Sequence, residues 1–119
     1  MRPPLYGGTM SDRIAESYLE STGTASNSGD NTVIAAPGTG RRIVWRKIKL
    51  VNTTAAATTV IVKYGATSKK KSVFSANIGA GEIFYEEDGV ALPENTALVL
   101  NLSAANAISY DVDYLTESV

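Results

Sequence analysis

The stretch Arg41–Asn52, RRIVWRKIKLVN, decides the fold: it is the longest β-prone run in the chain and carries the only tryptophan. Turn chemistry bounds it. Pro37-Gly38-Thr39-Gly40 precedes it and Asn52-Thr53-Thr54 closes it, so it reads as one long strand. Ile48 and Leu50 alternate with Lys47, Lys49 and Val51, which buries one face. Carried back with the same period, the alternation puts Arg46 inward beside Val44 and turns Ile43 and Trp45 outward. Strict alternation therefore fails near Arg46. Either a bulge shifts the register there, or both faces are covered, one by the domain's own core and the other by a partner. The second reading is favoured here: it makes Arg41, Arg42, Ile43 and Trp45 a subunit interface and leaves Ile48 and Leu50 to the core.

Outward from this strand, residues 31–119 form a series of short β patterns separated by turn residues. Strands are expected at residues 32–36, 41–52, 58–64, 72–78, 82–86, 90–92, 97–102 and 108–115. The last has the cleanest alternation, with Ile108, Tyr110, Val112 and Tyr114 set against Ser109, Asp111 and Asp113. About eight short strands at regular spacing predict an all-β protein, an antiparallel β-sandwich that is jelly-roll-like rather than immunoglobulin-like. No internal repeat accompanies them.

Residues 1–30 read differently, as an extended N-terminal arm with one short helix and a polar linker. Pro3-Pro4 enforces an extended backbone and Gly7-Gly8 supplies a joint. Residues 11–20, SDRIAESYLE, place Ile14, Tyr18 and Leu19 on one helical face, and 21–31 is a run of small polar residues. A helix of about ten residues is marginal alone in water. An arm this polar cannot offset its ordering entropy, roughly 1–2 kcal/mol per residue, from its own contacts. It is expected to bind a neighbouring subunit or another protein through Pro3, Pro4, Leu5, Tyr6, Ile14, Tyr18 and Leu19.

At 119 residues the chain fits one sandwich domain, 31–119, behind that arm. With no cysteine and no histidine, disulfides, thiolate metal sites and imidazole-based catalysis are excluded. The sequence contains neither a secretory leader pattern nor a run of about 20 apolar residues, and is read as soluble. Net charge is −1, yet every charged residue from 31 to 71 is basic and every one from 72 to 119 is acidic. Two arrangements account for this: basic and acidic strands pair within one sandwich, or the basic edge of one subunit meets Glu86, Glu87 and Asp88 of the next. Nucleic-acid binding is the weaker third, since Lys69-Lys70-Lys71 reads as a solvated hairpin.

Site motifs are sparse. Gly38-Thr39-Gly40-Arg41-Arg42 lacks the spacing of a phosphate loop and precedes a strand, so it is a turn. Glu86-Glu87-Asp88 matches no calcium-loop spacing and reads as a solvated loop. Asp111 and Asp113 share a face as a negative edge, with calcium binding a weak alternative. Tyr6, Trp45, Tyr64, Phe84 and Tyr85 could stack sugars, but such residues are more often core or interface. No enzyme activity, metal or cofactor is expected.

The run NTVIAAPGTGRRIVWRKIKLVNTTAAATTVIVKYG, with the later LPENTALVLNLSAANAISYDVDYL, resembles small β-sandwich virion proteins of tailed bacteriophages. The likeness covers about residues 31–115 and consists of a P-G-x-G turn, a basic strand ending L-x-N-T, an Ala/Thr-rich loop and L-x-L-N-L-S-A before a final alternating strand. It implies a non-enzymatic capsid decoration or cement protein on the head exterior, assembled in the host cytoplasm. The implied partners are the major capsid protein or another virion protein and further copies of itself, a trimer being favoured, with no nucleic acid or membrane. A neck, tail or fibre component is the alternative, and a carbohydrate-binding module a more distant one.

Overall fold

The computed structural model describes residues 18–54, 56–64, 67–74 and 81–119, and of residues 67, 69–74 and 81–88 only the backbone. The described residues form strands β1 (Leu19–Ala25), β2 (Gly29–Ile34), β3 (Arg41–Asn52), β4 (Thr58–Tyr64), β5 (Thr67–Phe74), β6 (Gly81–Ala91), β7 (Leu98–Leu102) and β8 (Ile108–Ser118), with no helix among them. They build two antiparallel sheets, one ordered β1-β8-β3-β6 and the other β2-β7-β4-β5. The pairing is nested: β4 with β5, β3 with β6, β2 with β7 and β1 with β8. Apart from the β4–β5 hairpin, each connection passes from one sheet to the other.

The bulge at Arg46 reconciles the two halves of β3. Trp45 lies opposite Tyr114 and Lys47 opposite Asp113, so Arg46 is an extra residue relative to β8, and the pairing with β6 shifts at the same point. One extra residue reverses the facing of everything before it. Ile43 and Trp45 consequently point the same way as Ile48 and Leu50, and all four are fully buried in the chain's own core. The expectation that Ile43 and Trp45 face another subunit is thereby corrected. Arg41 alone of that foursome is exposed, and Arg42 is half-buried.

The core fills the space between the sheets. Ile43, Trp45, Ile48, Leu50, Ile108 and Val112 of the first sheet meet Val60, Val62, Tyr64, Leu98, Leu100 and Leu102 of the second. The Trp45 indole donates Nε1–H to the Tyr64 hydroxyl across the seam at 3.1 Å, satisfying a polar atom that would otherwise be stranded. Asn52 is wholly buried. Its Oδ1 accepts from the Thr54 amide at 2.9 Å, and its Nδ2 donates to the Ala56 carbonyl at 2.9 Å, folding the β3–β4 loop around it. At the opposite end Gly38 and Gly40 take positive φ, and their amides donate to Asn95 Oδ1 at 2.9 Å and Glu94 Oε2 at 2.7 Å. The P-G-x-G turn and the L-P-E-N loop are thus one interlocked corner.

The N-terminal reading needs a second correction. Leu19 and Glu20, placed in a helix by their spacing, belong to β1, and residues 21–31, taken as linker, supply most of β1 and the start of β2. The physical reason is tertiary: β8 offers an open edge, and Gly23 opposite Tyr110 lets that ring lie across the strand, where a Cβ would come within 2.6 Å of its hydroxyl. The boundary between residues 30 and 31 therefore falls inside β2. Residues 1–17, including Pro3, Pro4, Leu5, Tyr6 and Ile14, lie outside the described residues.

Deleting Arg46 removes the bulge and turns Ile43 and Trp45 to solvent. At roughly 1.5–3 kcal/mol for each large side chain, the deletion is expected to abolish cooperative unfolding, whereas Arg46→Ala retains it; thermal melts followed by circular dichroism distinguish the two. Tyr64→Phe leaves the indole N–H without a partner and should lower stability by about 1–3 kcal/mol in urea titrations, with an unchanged slope.

Candidate functional site

The largest concentration of charge among the described residues lies on the outward face of the first sheet. On β3, Arg42, Lys47 and Lys49 stand opposite Glu117, Asp113 and Asp111 of β8, a direct consequence of antiparallel register between a basic and an acidic strand. Arg42 Nε donates to Glu117 Oε2 at 2.7 Å, and Arg46 reaches Asp113 at 3.6 Å. The second sheet has its own pair: Lys63 Nζ lies 3.3 Å from Asp30, which also accepts from Asn101 Nδ2 at 2.6 Å. The charge asymmetry of the sequence is thus consumed, for these residues, inside one chain.

Glu20 of β1 joins the face from the edge. Its carboxylate and those of Asp111 and Asp113 offer oxygens all within 4.8 Å of one another. With Lys47 and Lys49 they line a shallow cleft of about 170 Å³. Asp111 Oδ1 is shut off from solvent without a hydrogen-bond partner, as is Arg46 Nε. Three carboxylates this close can hold a cation, but Lys47 and Lys49 already bring positive charge into the cleft. The hydrogen bond shared with Asp111 raises the Glu20 pKa first, and repulsion from Asp111 and Asp113 adds to it. Asp30 moves the other way, held low by Asn101 and then by Lys63.

Tyr18 stacks its ring on the Arg46 guanidinium, 4.3 Å from centroid to Cζ. Its hydroxyl lies 3.6 Å from where a Cβ on Gly89 would stand. Burial pushes that hydroxyl's pKa up, and Arg46 partly opposes the shift. The Tyr18 side chain thus reaches from the edge strand across the outward face to β3.

Of the proposed arm residues, Tyr18 occupies this position and Leu19 is 58% exposed. Glu86, Glu87 and Asp88 contribute backbone to β6; their side chains, like those of Phe84 and Tyr85, lie outside the description, as does Tyr6. Trp45 and Tyr64, candidates for a sugar platform, are in the core. Asp111 and Asp113 share a face as read, whereas Glu20 was hidden by its helical assignment. Its one sequence signal was Thr22 and Thr24, which alternate as β-branched residues of a strand do.

No family model matches the sequence, and no curated protein matches it. Among the described residues, no helix is long and apolar enough to cross a membrane.

Glu20→Gln tests the electrostatics of this face. Glu20 has a raised pKa, so its favourable contribution is complete below the unfolded value of about 4.3 and is lost as pH rises through the folded one. The variant should be more stable than the parent at pH 7 and indistinguishable from it below about pH 4. Asp30→Asn should show the reverse, costing stability at neutral pH and nothing in acid, because a lowered carboxyl pKa contributes above the unfolded value and is lost as pH falls. Urea melts at stepped pH measure both.

Proposed function

We propose that the protein is a non-enzymatic structural virion component, a capsid decoration or cement protein that binds the head surface as a symmetric oligomer and reinforces contacts between capsid subunits. The observation that carries the reading is the nested pairing of β1 with β8, β2 with β7, β3 with β6 and β4 with β5. Eight strands in the orders β1-β8-β3-β6 and β2-β7-β4-β5 support a jelly roll, an architecture used by viral capsid and lectin domains. Burial of Trp45 and Tyr64 removes two of the aromatics a sugar platform would need, which favours the structural reading over a lectin.

In this proposal residues 1–17 are the partner-binding arm and the sandwich is the body that spaces and orients it. The arm now ends where β1 begins, so a truncation to Tyr18 removes it without cutting a strand. The test is retention on heads of the encoding phage. Full-length protein should co-sediment with heads at a fixed ratio, and the truncated form should keep its melting temperature but remain in the supernatant. Protein that stays in the supernatant at full length overturns the proposal; label found on purified tails and not on heads replaces cement with a neck or tail role.

A further inference from the structure

We infer that the free edge of β1 is a two-fold pairing surface for a second copy of this chain. Among the described residues β1 ends the first sheet, with β8 on one side and no strand on the other. A sheet edge presents a row of N–H and C=O groups that will pair with any suitable strand, and monomeric proteins obstruct it with bulges, lysines, prolines or short length. The two edges at this end of the sandwich are treated differently. β2 carries a register shift between Thr32 and Ile34 and a positive-φ glycine at position 29. β1, LESTGTA, runs seven residues in unbroken register with β8 and contains no lysine, arginine or proline.

The occupant follows from the sequence of the edge itself. Antiparallel pairing of β1 with its own copy about an axis at Thr22 uses all seven residues. Leu19 then faces Ala25, Glu20 faces Thr24, Ser21 faces Gly23, and Thr22 faces Thr22. Threonine pairs are favourable across strands, and the two Glu20 side chains are kept four residues apart, about 13 Å, beyond the Debye length at physiological salt. A foreign strand would find no charge on this edge to recognise apart from Glu20. Leu19, 58% exposed at the inward-facing side of the edge, gains cover from the partner's end of the core. Seven residues a side is less than the ~1,200 Å² of a standard stable interface, so the pair should exchange at micromolar concentration. The contact is independent of the virion reading, since a chain that never meets a capsid would still form it.

The chain has no cysteine, which makes cross-linking a direct test. Directly opposed residues of antiparallel strands have Cα atoms about 4.5–5.5 Å apart, within disulfide range. Full-length Thr22→Cys should oxidise rapidly to a covalent dimer, while Ala105→Cys, exposed in the β7–β8 loop, should not. Glu20→Cys mixed with Thr24→Cys should cross-link faster than either alone, which fixes the register. Unmodified protein should show paired chains in sedimentation between about 1 and 100 µM. Cross-linking of Thr22→Cys no faster than Ala105→Cys overturns the inference, as does wild-type protein that stays unpaired throughout that range. Capsid binding and cross-linking are read separately, so either can fail while the other stands.

Discussion

Everything in this sandwich depends on one extra residue. A twelve-residue strand in the middle of a sheet must commit its apolar side chains to a single face, and β3 does so only because Arg46 is set aside between Trp45 and Lys47. The bulge lets the indole reach Tyr64 on the facing sheet while Ile48 and Leu50 keep their places below it. It also determines what happens outside. The displaced arginine side chain is left on the outward face, between Asp113 and the ring of Tyr18.

The same register that builds the core sorts the charges. Because β3 is basic and β8 acidic, an antiparallel ladder between them puts opposite charges side by side without any further device. Such pairs are individually weak at a surface, a fraction of a kcal/mol, and their larger effect is on alternatives: a slipped register would oppose lysines to apolar residues and strand the carboxylates. Glu20 is the exception. It adds a third carboxylate to the Asp111–Asp113 pair, and that proximity holds its pKa above the usual carboxylate range.

Much of the β-sandwich was legible in the sequence, and the failures have physical causes. β3 and β4 could be bounded to the residue because glycine, proline and Asx chemistry flank them. The facing of Ile43 and Trp45 could not, since a bulge is specified by the two neighbouring strands rather than by the bulged segment. β1 was misread because its residues carry weak preferences: Leu19 and Glu20 are good helix formers, and only the open edge of β8 makes them strand. The candidate site was half visible for the same reason. Asp111 and Asp113 declared themselves by alternation, while Glu20 arrives from a segment whose structure is dictated almost a hundred residues away.

The nested pairing has a consequence in time. Leu19 of β1 lies opposite Tyr114 of β8, whereas the β4–β5 hairpin closes locally, so the sheet contacts range from the shortest loop to nearly the whole chain. Loop-closure entropy makes such long-range pairings late and slow. During synthesis β1 emerges before β8, and for that whole interval a strand whose only charged residue is Glu20 has neither of its edges covered. Strands β1 to β4 are therefore sealed in the reverse of the order in which a ribosome delivers them, and β1 is the segment with the most opportunity to meet another molecule before it meets its own.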